Sequence, residues 1–171
     1  MLAKALKVWR QLRLEIGEAA IYTDGDELTD VVGLVAAWQG GLPVVRLTSA
    51  SVVPVVSTGD DVETIGVDDG AAVERLRSIT STAPGVAAVD LSGNGEVISM
   101  LLEALPRWGR LLLAGPSPQP FTTAFYADVH RKGVVICAAG DPEPIDVRNA
   151  RRLLADPKRA GLLRGCVRER V

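Results

Sequence analysis

Three observations predict a three-layer α/β/α sandwich built on a doubly wound, mostly parallel sheet. Short, largely apolar runs at 19–23 and 86–91, carrying only Thr23 and Asp90 as exceptions, have the character of strands buried on both faces. Stretches with apolar residues at helical spacing lie between such runs, and Gly, Pro, Asn or Asp punctuates nearly every change of period. Alternation of this kind places helices on both faces of a parallel sheet.

Each element follows in order. Leu2, Leu6, Trp9 and Leu12 recur at helical spacing, so residues 1–16 read as a leading amphipathic helix that Gly17-Glu18 turns into the strand 19–23. Leu28, Val31, Val32, Val35 and Trp38 trace one face of a second helix, stopped by Gly40-Gly41 and followed by a strand over 43–47. The right-handed crossover makes those two strands parallel. Pro54 and the four valines Val52, Val53, Val55 and Val56 argue against a regular helix at 50–61. A strand at 62–67 leads through a capping Asp68-Asp69 to a helix carrying Val73, Leu76 and Ile79. Strand 86–91, helix 96–105 and strand 110–114 follow, then a loop stiffened by Pro116, Pro118 and Pro120. His130-Arg131-Lys132 precedes a strand at 134–138, and Asp141-Pro142-Glu143-Pro144 breaks the chain before a C-terminal helical segment at 145–171.

At 171 residues the chain is one domain by length and buries about 70% of its unfolded surface. Cys137 and Cys166 are far apart and lack C-x-x-C spacing, which argues against zinc or a disulfide framework and points to the cytoplasm. No apolar run approaches the roughly 20 residues of a membrane span, and no signal peptide is evident. The net charge of -2 with few aromatics gives no nucleic-acid footprint. Charge is uneven, however: 24–30 and 60–69 are acidic, whereas 148–170 is basic and nearly free of acids, either a solvated helix face or a surface for an anionic partner.

The passage Val89-Asp90-Leu91-Ser92-Gly93-Asn94-Gly95, a helix, and then Leu105-Pro106-Arg107-Trp108-Gly109-Arg110-Leu111-Leu112-Leu113-Ala114-Gly115 carries a resemblance. It resembles the "I-D-x-x-G, helix, L-x-x-G-G-R-hydrophobic-G" passage of the cofactor-binding, Rossmann-type domain of the medium-chain dehydrogenase/reductase family, the relatives of zinc alcohol dehydrogenases and quinone oxidoreductases. The lead into the first strand and the His130-Arg131-Lys132 entry are similar too, so the likeness covers about residues 5–140. It implies NAD or NADP as cofactor, with neither as the alternative. It also implies a separate catalytic barrel domain carrying the zinc ligands and substrate pocket, and no such domain is expected within 1–171.

The family's G-x-G-x-x-G turn falls on Asp24, Gly25, Asp26, Glu27, Leu28 and Thr29, and all three glycine positions hold other residues. A carboxylate about 5–6 Å from a phosphate costs about 3 kcal/mol at an effective dielectric near 20, roughly a hundredfold in affinity. Alternatively, Asp24 or Asp26 caps the helix and Glu27 suits its positive end. Where the family has a ribose-binding acid, this chain has Thr48 and Ser49 after Arg46, residues that suit either a 2′-phosphate or a simple turn. Ser92, Gly93, Gly115 and Ser117 sit at strand carboxyl ends, where open α/β sheets bind ligands, or in ordinary turns.

The candidate cofactor-binding set is therefore Asp24, Gly25, Asp26, Thr48, Ser49, Ser92, Gly93 and Gly115, with no catalytic or metal-ligating residue assigned. His130 is the only histidine and reads as a surface residue, and Tyr126 and Lys132 miss the Tyr-x-x-x-Lys spacing of short-chain reductases. Two functions compete. One is a stand-alone, diverged dinucleotide-binding module. The other is a non-catalytic interaction or scaffold subunit, with Trp9, Trp38 and Trp108 as exposed apolar candidates and a homodimer or a separate subunit as partner.

Overall fold

The computed structural model describes residues 1–25, 27–49, 62–116 and 120–168, with residues 167 and 168 as backbone. The stretch expected to be irregular at 50–61 lies outside the described residues, as do Asp26 and Ser117. Strands β1 (Ala19–Thr23), β2 (Val44–Thr48), β3 (Val62–Gly66), β4 (Val86–Asp90), β5 (Arg110–Leu113) and β6 (Val135–Ala138) form one sheet in the order β3-β2-β1-β4-β5-β6. Every pairing is parallel: Tyr22 lies beside Arg46 on one side and Val89 on the other, and Asp90 beside Leu113. The order reverses between β1 and β4, and it is above the carboxyl ends of such a pair that a doubly wound sheet places its ligand crevice.

Alternation along the strands builds two cores. Ala20, Tyr22, Val44, Ala87, Val89 and Leu112 face α1 (Leu2–Leu12), α2 (Thr29–Trp38), α5 (Pro144–Leu154) and α6 (Pro157–Arg168). Ile21, Val45, Leu47, Ile65, Ala88 and Leu111 face α3 (Ala72–Thr80) and α4 (Gly95–Ala104). Because both faces are covered, the central strands carry continuous apolar runs instead of alternating ones, which is why they were legible in sequence.

Four expectations need correction. Trp9 is fully buried, and its indole N–H donates to the Val32 carbonyl at 2.8 Å, so it anchors α1 to α2 and offers nothing to a partner. The leading helix stops at Leu12 because Arg13 adopts the left-handed conformation (φ 53°) and its N–H returns to the carbonyl of Arg10. The Asp68-Asp69 pair does not occupy the cap of α3, whose N-cap is Ala71; Asp69 instead accepts from the Ala71 N–H (3.0 Å), just before the helix begins. The C-terminal segment is two helices. Glu143 and Asp146 form a capping box at the start of α5, and Pro157 then ends helical continuity while Asp156 accepts from the Lys158 N–H (2.9 Å) to start α6.

The turn before β6 is a short π-helical segment, Tyr126–His130, in which Tyr126 stacks on the exposed His130 with ring centroids 5.3 Å apart. Lys132, beyond it, donates to the carbonyls of Leu102 (2.9 Å) and Glu103 (2.8 Å), satisfying acceptors at the end of α4 that its own helix leaves open. Burial pushes the Lys132 ammonium below its ordinary pKa.

Candidate functional site

The carboxyl edge of the sheet carries two polar clusters, one on each side of the β1–β4 crevice. On the β2 side, Arg46 is the hub. Residues 46 and 48 point to the same face of β2 because side chains alternate along a strand. Arg46 donates through Nε to Asp24 at 2.6 Å and through Nη1 to Asp30 at 3.2 Å, and the Thr48 hydroxyl donates to the second Asp24 oxygen. Asp30 lies in the first turn of α2, so this cluster ties the end of β1 to the next strand and to the following helix. Burial pushes the Arg46 guanidinium down, but the hydrogen bond and charge of Asp24 outweigh it and hold the group above its usual value.

This geometry corrects the electrostatic expectation. Asp24 does not cap α2, whose N-cap is Leu28 without a side-chain hydrogen bond, and its carboxylate does not face a phosphate site as a bare charge. An arginine at 2.6 Å offsets it, so the full penalty of about 3 kcal/mol does not apply to this residue. The residues expected to suit a 2′-phosphate or a turn, Arg46 and Thr48, are both hydrogen-bonded to Asp24 here. Ser49, next along, is exposed.

On the β4 side, the fully buried Asp90 is the hub. One oxygen accepts from the Thr23 hydroxyl (3.1 Å), the Ser92 amide (3.1 Å) and the Ser92 hydroxyl (2.6 Å), and the other accepts from the Gly93 amide (3.0 Å). Thr23 in turn accepts from the Leu91 amide at 2.7 Å. Asn94 then caps α4 through the Glu96 amide at 2.8 Å. Ser92 and Gly93 are thus brought together, as expected, but their polar groups face inward onto Asp90.

Gly25 and Gly115 serve close approach. A Cβ on Gly25 would stand 2.3 Å from the Leu91 carbonyl oxygen, and one on Gly115 would stand 2.4 Å from the same atom. The ends of β1, β4 and β5 therefore converge on one backbone carbonyl, a contact only glycine allows at either side. Sequence reasoning placed both glycines at the site but missed Arg46, Asp30, Thr23 and Asp90 as its organisers. Their signal was available: a charged or hydroxyl residue inside or closing an otherwise apolar strand must find a partner once buried. Among the described residues no group of His, Cys, Asp and Glu could hold a metal ion, and no helix is long and apolar enough to cross a membrane.

No family model and no curated protein matches the chain. Solved structures do match in fold. An alcohol dehydrogenase from Thermotoga maritima superimposes with a TM-score of 0.79 at 17% identity, over 94% of this chain and 46% of that one. An alcohol dehydrogenase zinc-binding domain protein from Burkholderia ambifaria gives 0.78 at 17% identity, over 95% and 45%. Galactitol-1-phosphate dehydrogenase from Escherichia coli gives 0.77 at 16% identity, over 92% and 48%. The chain spans about half the length of these proteins, and its fold resembles the dinucleotide-binding half of alcohol dehydrogenases.

Proposed function

We propose that this chain is a diverged dinucleotide-binding-type module that no longer holds NAD or NADP in the pose its fold was built for, and that it serves as a non-catalytic interaction subunit. One observation carries the reading: the polar side chains at the carboxyl edge are engaged with one another, Arg46 and Thr48 with Asp24, and Thr23 and Ser92 with Asp90. A dinucleotide would have to displace buried or part-buried, charge-assisted hydrogen bonds to reach those groups, and each costs about 1.5–3 kcal/mol to break. The bound cofactor offers phosphate to Arg46 but no cation in return to Asp24 and Asp30, so the exchange takes the shared guanidinium from both carboxylates.

The surface that supports an interaction role is the outer edge of β6. Val135 and Ala139 donate to the Gly109 and Leu113 carbonyls, so the intervening Ile136 turns its own N–H and carbonyl outward. Val135, Ile136 and Trp108 are exposed apolar residues on the flank of the sheet, the setting in which a strand of a second copy pairs.

Isothermal titration with NAD, NADP, AMP and ATP tests the first part. The expected result is no saturable binding at about millimolar ligand, and a Kd below about 100 μM for either dinucleotide overturns it. Sedimentation of the native chain beside Ile136→Lys tests the second. A native monomer at about 100 μM, or a dimer that survives the lysine, removes the β6 pairing.

A further inference from the structure

Far from the carboxyl edge, α1, α2, α5 and α6 enclose a groove of about 430 Å³ lined by Leu6, Trp38, Gln39, Asn149, Arg152 and Arg159, among others. That volume falls in the range of small-molecule sites. The buried face of α2 runs from Thr29 through Ala36, but Trp38 at its end stays partly exposed to the groove. The Arg159 guanidinium carbon stands 5.6 Å from the Trp38 ring centroid, within cation–π range, and Asp156 steers its Nε from 3.7 Å.

Charge is unbalanced here in one direction. From 148 to 164 the sequence places Arg148, Arg151, Arg152, Lys158, Arg159 and Arg164 against the single acid Asp156. On α1, by contrast, Lys7 and Arg10 pair with Glu143, and Arg10 also with Asp146. No ion pair among the described residues joins Arg152 to an acid. An apolar floor, an indole wall, two carboxamides and two guanidiniums therefore converge on one compact hollow.

We propose that this groove binds a small planar aromatic anion. Its ring lies against Trp38, its carboxylate or phosphate is taken by Arg152 and Arg159, and the amides of Gln39 and Asn149 supply further hydrogen bonds. Guanidiniums suit that role because their planar fork matches carboxylate and phosphate oxygens, and the indole face suits the ring. The proposal is independent of whether the carboxyl edge binds a dinucleotide.

The probes are 1-naphthoate and 1-naphthyl phosphate, with 1-naphthamide as the uncharged isostere and acetate as the anion without a ring. The readout is the Trp38 indole N–H resonance, assigned with Trp38→Phe. Saturable shifts are expected with at least one aromatic anion at a Kd of about 1 mM or tighter, and the stronger of the two identifies the head group. Arg152→Gln and Arg159→Gln are each expected to weaken it about tenfold, while Arg148→Gln, on the helix of Arg152 but outside the groove, leaves it within about twofold. Absence of a Trp38 shift at about 10 mM, equal binding of the naphthamide, or equal weakening by Arg148→Gln overturns the proposal.

Discussion

Replacing Arg46 with methionine isolates the ion cluster that ties the end of β1 to β2 and α2. The Arg46 side chain is 10% exposed and serves two carboxylates: Asp30, 3% exposed, at 3.2 Å, and Asp24, 25% exposed, at 2.6 Å. Methionine keeps most of the apolar stem but takes away the guanidinium that the buried Asp30 and the part-buried Asp24 share. Removing one partner of a buried pair costs about 3–5 kcal/mol, and because Asp24 recovers water and keeps Thr48, the lower end applies. Arg46→Met is therefore expected to lose about 3 kcal/mol, or about 6–12 °C in Tm. The triple variant with Asp24→Asn and Asp30→Asn is expected to regain most of it, since no unpaired charge remains. Urea unfolding followed by circular dichroism at neutral pH measures both. A loss under about 1 kcal/mol for the single variant, or a triple variant no better than the single, refutes the claim that a buried charge network holds the crevice.

Further outcomes follow from other contacts. The hydrogen bond from Arg10 holds the Asp146 carboxyl below its ordinary value near 3.8, so its stabilising effect is complete above that value and is lost as pH falls through the lower, folded one. Acid titration of stability should therefore show wild type losing its advantage over Asp146→Asn below about pH 4, with no further difference once the carboxyl is protonated. At Gly33 two principles disagree in sign: helix propensity favours alanine by up to about 1 kcal/mol, but a Cβ would stand 2.5 Å from the Tyr22 hydroxyl. Gly33→Ala should destabilise by about 1–3 kcal/mol in urea, and a gain would show that Tyr22 yields easily. Thr23→Val, similar in shape, should cost about 2 kcal/mol and speed hydrogen exchange at the Leu91 amide, which loses its 2.7 Å acceptor.

The strands at Ala19–Thr23 and Val86–Asp90 and the helices between them were legible in the residues alone, because burial on both faces and helical spacing are local patterns that any parallel sheet must write into its chain. Gly25, Ser92, Gly93 and Gly115 were also placed correctly at strand ends, since turn residues mark those ends. The meaning of the acidic turn was not legible. Asp24 read as a free charge or a cap, and it is neither, because its partners Arg46 and Thr48 come from the adjacent strand through the β1–β2 register. Trp9 likewise read as a surface residue until α2 supplied the Val32 carbonyl that accepts its N–H. Periodicity travels along the chain and survives in the string of letters. The pairing of a buried charge depends on which distant residue arrives within 3 Å, and only the packed sheet and its helices bring them there.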